Sequence, residues 1–284
     1  MAEYSFDIDS LFHKGNEDVL RTYLQLLHPA DIAELFNYVE ENNWIKITQF
    51  LDAEKLADLL SNLDDGQLES IGKIMKTDRL LAAVEELETD DAADVLAELP
   101  KSKTAAILAE MEQEDREDLK TLLAYPEDSA GGIMQTELCR VEQTKTVAEA
   151  IDAVRIARKD LEDILEVYLV DNNDRFCGVV ALEDLVLSTN DTKLSEIQSP
   201  IEQIVTPELD QEEVAQIFGK YDLVTVPVAD RNGKLLGRIT FDDIHDVVEE
   251  EATEDVMTMA GASSEELVYG SDFFQIAMYR LPWL

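Results

Sequence analysis

Two cysteines, Cys139 and Cys177, are all that the 284 residues contain. That is too few for a disulfide framework or a thiolate metal site, and a reducing compartment fits. The three histidines, His13, His28 and His245, stand beside no nucleophile motif, P-loop or dinucleotide fingerprint, so no enzyme is expected. Positive charge is scarce as well. Sixty-three Asp and Glu face 23 Lys and Arg, a formal net charge of −40. Nucleic acid is thereby excluded as a partner, because phosphate releases its counterions only to protein cations. No 18 residues pass without a charge, which excludes a membrane span. The start, MAEYSFDIDSLF, lacks a signal peptide's basic residues and apolar run. Disorder, the common fate of acidic chains, is excluded by 45% hydrophobic residues in helical and strand periodicity. A folded acidic protein remains, of a length that predicts two or three domains.

The first 125 residues carry a helical repeat. His28-Pro29-Ala30-Asp31-Ile32-Ala33-Glu34-Leu35 returns in outline from Asp52, from Glu88 and, more loosely, from Glu112. Asp31, Lys55, Asp91 and Asp115 lie multiples of twelve residues apart. Short amphipathic helices of this kind bury their apolar faces only by stacking, which predicts an α-superhelix. Acidic residues crowd the first turns, where they cap free N–H groups and complement the helix dipole. His28, beside Pro29, is read as a capping or packing residue rather than a catalytic one.

Tyr125-Pro126-Glu127-Asp128-Ser129-Ala130-Gly131-Gly132 breaks the pattern and marks a domain boundary. A second repeat follows. Val167 to Leu185 aligns without a gap on Val226 to Ile244, at an offset of 59. Each copy reads as a strand, an Asn-containing tight turn, a second strand with a glycine inside it, and an acidic helix start. Amphipathic helices, Val147 to Arg158 and Glu212 to Tyr221, precede the copies.

From Asp242 to Asp255 the chain reads DDIHDVVEEEATED, eight acids with no Lys or Arg. On a helix, Asp243, Asp246 and Glu250 share one face, and Glu251, Glu254 and Asp255 form a second group. Like charges so spaced cost roughly 0.2–0.5 kcal/mol per pair. A solvated face is one reading; it normally intersperses Lys or Arg. A hard divalent cation is the other, since Mg2+ and Ca2+ take oxygen ligands alone. No EF-hand loop is present, and carboxylates from separate segments make loose sites in which the ion keeps its waters, as Mg2+ prefers.

The paired unit, closing on Gly178 to Asp184 and Gly237 to Asp243, resembles the CBS domain. An acidic superhelix, then Ala130-Gly131-Gly132-Ile133-Met134, a CBS pair and Glu250 to Asp255 together resemble the cytosolic region of MgtE-type magnesium channels. The resemblance implies an α-helical superhelix over 1–128, α+β tandem CBS domains over 129–190 and 191–250, and a connecting "plug" helix over 251–284. The last residues, Arg280-Leu281-Pro282-Trp283-Leu284, look like the beginning of a first membrane helix, so a cytoplasmic fragment of a cell-membrane protein is expected. Carried over residue by residue, the family's cation positions are Glu212, the carbonyl of Gly219 and Asp222 on the helix before the second strand pair. Asp243, Asp246, Glu251, Glu254 and Asp255 follow in the acidic run. Asp58, Asp90 and Asp94 complete the set, in similar first-turn positions of two helical repeats. The resemblance further implies several regulatory Mg2+ ions, a homodimer through the CBS domains, a transmembrane pore as partner, and closure of that pore when Mg2+ bridges the two domains. Gly237-Arg238-Ile239-Thr240-Phe241-Asp242-Asp243 fits the element with which CBS pairs approach the ribose of adenine nucleotides, making Thr240 and Asp243 candidates for ATP. A protein-docking superhelix is the third expectation.

Overall fold

A helix begins every twelve residues. They are α1 (Glu17–Leu26), α2 (Pro29–Phe36), α3 (Glu41–Gln49), α4 (Ala53–Ser61), α5 (Asp65–Ile74), α6 (Thr77–Val84), α7 (Thr89–Glu98), α8 (Lys101–Glu110) and α9 (Gln113–Leu122). The computed structural model describes Phe12 and residues 16–159, 161, 164–199 and 203–260, except for the side chains of 249, 250 and 254–260. Helices of eight to ten residues are too short to persist alone, so packing must stabilise them. Each helix packs on the next but one: α2 on α4, α4 on α6 and α6 on α8, with α3, α5, α7 and α9 forming a second stack. The result is the expected superhelix, with a helix pair per 24 residues. Leu24, Ile32, Leu56, Leu60, Ile71, Leu80, Leu96 and Ile107 form its continuous buried core.

The caps follow from local chemistry. Asp52 accepts from the amide of Lys55, Asp64 and Gln67 form a capping box, and His28 Nδ1 accepts from the amide of Ala30. A second ladder has no counterpart in the repeat as read from the sequence. Lys55, Arg79 and Lys103 stand 24 residues apart, each the third residue of its helix. Lys55 Nζ donates to the carbonyl of Leu27 at 2.6 Å, Arg79 Nη2 to that of Thr48 at 2.7 Å and also to that of Leu51, and Lys103 Nζ to that of Met75. Each cation thus caps the C-terminal carbonyls of the helix three places before it, where the dipole is negative.

The second half holds two copies of one unit. In the first, β1 (Arg140–Glu142) runs parallel to β2 (Glu166–Val170), which pairs antiparallel with β3 (Phe176–Ala181); α10 (Val147–Ala157) and α11 (Leu182–Leu187) flank them. In the second, α13 (Gln211–Tyr221) precedes β4 (Thr225–Ala229) and β5 (Leu235–Thr240), and α14 (Phe241–Ala260) follows; the short α12 (Leu194–Ile197) lies between copies. The offset of 59 holds in register. Leu169 pairs with Gly178 as Val228 pairs with Gly237, and both hairpins shift register at the next residue. The copies also meet across an approximate dyad: Phe176 N donates to the carbonyl of Gly233, and Leu235 N to that of Asp174, residues that exchange under the offset. β1 has no sequence signal beyond three residues in which only the middle one is buried.

The segment between the halves is paired, not loose. Ala130 N donates to the Leu209 carbonyl and Gly131 N to that of Pro207, while Gln135 and Arg238 exchange both backbone hydrogen bonds. Residues 128–135 therefore lie on the second CBS copy although the first follows them in the chain. Glycine is required where this strap turns and touches: a Cβ on Gly132 would lie 2.5 Å from the Pro126 carbonyl oxygen, and one on Gly237 2.4 Å from that of Gln135.

Two placements differ from the sequence expectation. Asp58 and Asp94 are the sixth residues of α4 and α7, past the first turn, where Asp90 alone of the three sits, because each helix begins at Ala53 or Thr89 rather than later. Asp222 caps α13 in the left-handed conformation, φ 52° and ψ 44°, rather than lying within it. Residues 261–284, most of the expected plug helix, lie outside the described residues, as do the side chains of Glu250, Glu254 and Asp255. Among the described residues no helix is long and apolar enough to cross a membrane.

Candidate metal-binding interface

The start of α7 and the start of α14 face each other across the boundary between superhelix and CBS pair. The twelve-residue register places Thr89, Asp90 and Asp91 in the first turn of α7, behind Glu88 at the N-cap. On the other side β5 ends at Thr240, and Asp242 and Asp243 enter the first turn of α14. Thr240 N donates to Asp243 Oδ2 at 2.9 Å, and Thr240 Oγ1 lies 2.6 Å from the same oxygen and also close to Asp242 Oδ1. One hydroxyl proton serves only one carboxylate at a time, so this end of the site is short of positive charge.

Burial and the acids at the start of α14 raise the pKa of the acids at the start of α7. Asp90 is 6% exposed, and burial, followed by the charges of Asp243 and Asp91, pushes its carboxyl well above the usual range; its carboxylate accepts a hydrogen bond from the amide of Asp91 at 2.9 Å. Asp91 is pushed up to about 6 by burial, then by Asp243, Asp246, Asp242 and Asp58. Glu88 is pushed up to about 7 by burial, with Arg238 opposing and Glu137, Asp243 and Asp91 adding to it. Asp243 is raised by burial against the hydrogen bonds of Thr240. The positive ends of two helix dipoles meet this charge but leave it unsatisfied.

Asp58, Asp90, Asp243 and Asp246 are therefore within electrostatic reach of one cluster, and Asp94, exposed, follows Asp90 by one helical turn. Asp91 and Glu88 belong there too. The doublet Asp90-Asp91 and the capping position of Glu88 were the available signals. Glu212, Gly219, Asp222 and Glu251 lie apart from it, along α13 and in the middle of α14. Glu251 Oε1 accepts from Gln211 Nε2 at 2.8 Å, which fastens it beside the start of α13. Glu212 and Asp222 stand at opposite ends of that helix, about 15 Å apart by its rise per residue, so one ion cannot take both. Leu223 N donates to the Phe218 carbonyl, diverting the usual partner of the Gly219 carbonyl at an exposed helix end. A shallow basin of about 610 Å³ runs along α13, lined by Asp210, Glu212, Glu213, Lys220 and Tyr221.

Among the described residues no three carboxylates close around a single point. The donors are all hard oxygens in a cluster with surplus negative charge. Such a set fits an ion that keeps much of its water, as Mg2+ does, rather than a dehydrated cage. Beside the cluster a cavity of about 260 Å³ opens between Glu88, Gln135, Leu165, Arg238, Thr240 and Phe241. In the first copy Ala181 replaces Thr240 and offers α11 no side-chain cap.

Residues 27–128 match the MgtE intracellular N domain and residues 194–250 the CBS domain. The magnesium transporter MgtE of Thermus thermophilus is 39% identical over 171 residues, 60% of this chain and 38% of that protein. Its namesake in Enterococcus faecalis is 37% identical over 169 residues, 59% and 36% of the two chains. The chain thus aligns with less than two-fifths of these curated relatives. The crystal structure of the cytosolic domain of the Mg2+ channel MgtE in complex with ATP superposes with a TM-score of 0.79 at 32% identity, over 84% of this chain and 98% of that one. A second structure, the soluble part of a magnesium transporter, gives 0.74 at 30%, over 83% and 93%.

Proposed function

This chain belongs to the MgtE family of magnesium transporters and corresponds to the family's cytosolic domain, and from that premise we propose that the acidic interface is a Mg2+-operated clamp. The supporting observation is that burial, followed by the charges of α14, pushes the carboxyls of Asp90 and Asp91 on α7 above their ordinary pKa. With both faces ionised, the superhelix and the CBS pair repel and part. A divalent ion supplies the missing positive charge and accepts oxygen ligands from both sides. Asp90, Asp94 and Asp58 then approach Asp243 and Asp246, and the docked state is favoured in proportion to its greater affinity for the ion. Several weak ions sum their preferences into a steep response. Glu212, the Gly219 carbonyl, Asp222 and Glu251, with Glu254 and Asp255, form a second region toward the connecting helix.

In the whole protein the CBS pair dimerises, and docking draws the connecting segment that begins at residue 251 against a membrane pore and shuts it, so that cytosolic Mg2+ limits its own entry. The division into 1–128, 129–190, 191–250 and 251–284 serves that motion. The test is a Mg2+ titration of the 284-residue chain followed by small-angle scattering. The radius of gyration should fall, and Asp243→Asn with Asp246→Asn should move the midpoint to higher Mg2+. An unchanged midpoint removes these residues from the clamp; a flat wild-type titration removes the clamp.

ATP is a second effector in this reading. The cavity beside Thr240 combines apolar walls with Arg238 and Gln135, and a relative at 32% identity was crystallised with ATP. Calorimetric titration with ATP, with and without Mg2+, tests it; absence of heat in both removes it.

A further inference from the structure

The docked superhelix is also held by hydrogen bonds that need no cation. Thr89 Oγ1 is the centre of one cluster: Thr136 N donates to it at 2.9 Å, it donates to Glu137 Oε2 at 2.8 Å, and Thr136 Oγ1 lies 3.1 Å away. Beside it, Gln135 Nε2 donates to Glu88 Oε2 at 2.7 Å while Gln135 Oε1 accepts from Arg238 Nε at 3.2 Å. Gln135 and Arg238 are each 3% exposed, and their backbones pair in both directions. Thr89 and Glu88 belong to the superhelix; Gln135 ends the strap lying on the second CBS copy, and Thr136 and Glu137 follow it directly. An amide side chain can donate to a carboxylate and accept from a guanidinium at once, so Gln135 joins two charged groups of different domains without adding charge. A hydroxyl in the place of Thr89 completes a set that an isosteric methyl cannot.

We infer that Thr89 and Gln135 form a metal-independent latch between superhelix and strap, which fixes the orientation of the docked state and sets the Mg2+ concentration at which docking occurs. The inference deepens the clamp reading and rests on it for the meaning of the docked state. Mg2+ in this scheme removes repulsion, whereas the latch supplies direction: hydrogen bonds form at one alignment of α7 against residues 135–137, while charge neutralisation alone tolerates many.

The test uses the full chain. Thr89→Val keeps the side-chain volume and removes the hydroxyl, and the docking equilibrium should weaken about tenfold. The Mg2+ midpoint for compaction should then rise, while the number of Mg2+ ions bound at saturation stays at the wild-type value. Asp243→Asn should instead lose bound Mg2+. Thr89→Ser should return the midpoint toward wild type, and Gln135→Met should reproduce the valine effect by removing the second pair of bonds. Amide hydrogen exchange at Thr136, read without Mg2+ at high salt, reports the latch directly: protection in wild type and about tenfold faster exchange in Thr89→Val support it. Equal exchange in the two chains, or a valine midpoint identical to wild type, overturns it. A wild-type chain that ignores Mg2+ overturns the clamp and leaves the exchange experiment to decide the latch.

Discussion

Lowering the pH should do part of what Mg2+ does. The sign follows from the direction of the shifts. Asp91 and Glu88 are acids whose pKa is raised in the docked state, to about 6 and about 7, from ordinary values of 3.8 and 4.5. The docked state therefore binds protons more tightly than the separated one. Docking is favoured at low pH and loses stability as pH rises through the interval from about 4 to about 7. For Asp91 the elevation corresponds to a ceiling of about 3 kcal/mol. Three of the four charges that act on it, Asp243, Asp246 and Asp242, stand on the other domain, and Asp58 on its own. Even half of that ceiling changes the docking equilibrium by about tenfold. In Mg2+-free buffer at moderate salt, the radius of gyration should decrease between pH 8 and pH 5.5, and the Mg2+ midpoint should fall over the same interval. Asp91→Asn should flatten the dependence. A radius that is constant, or that grows as protons are added, would refute the assignment of repulsion to this interface.

Further outcomes concern the scaffold. Arg79→Met removes two hydrogen bonds to the carbonyls of Thr48 and Leu51, and should lower the stability of the superhelix by about 2 kcal/mol in a urea titration. Gly237→Ala places a methyl 2.4 Å from the Gln135 carbonyl oxygen and 3.2 Å from Met134 Sδ. It should cost about 1–3 kcal/mol and displace the strap, read as faster exchange of the Gln135 and Arg238 amides. Asp64→Ala breaks a capping box at the start of α5 and should cost about 1 kcal/mol of thermal stability while leaving the Mg2+ midpoint in place.

The sequence carries the superhelix in four of its slots, those of α2, α4, α7 and α9, where an acid doublet or single acid precedes Ala and Leu. The intervening slots obey the same register with different chemistry: Asn42 and Asn43 open α3, Gly66 enters α5, and Lys101 starts α8. Their helices form because the stack on either side demands them, which a local reading cannot see. The strand pairs were legible for the opposite reason, since hairpin, glycine and Asx turn are all local. Asp243 and Asp246 were legible in the acidic run itself and Asp90 through resemblance, and their juxtaposition follows from helix starts. Gln135 and Arg238 were invisible. They meet across 103 residues of chain, and a lone Arg on a strand carries no mark of its partner.

Because residues 128–135 are bonded to the second copy, the chain between the halves has little slack. Gly131 leaves no room for a Cβ beside the ring of Tyr125, so the strap is packed almost up to the end of α9. In the proposed clamp, a swing of the helical arm would turn about Tyr125 and Pro126 as a gate turns about its hinge post. Its travel would be an arc of fixed radius rather than a drift at the end of a tether, with the same face returning to the same seat at every closure.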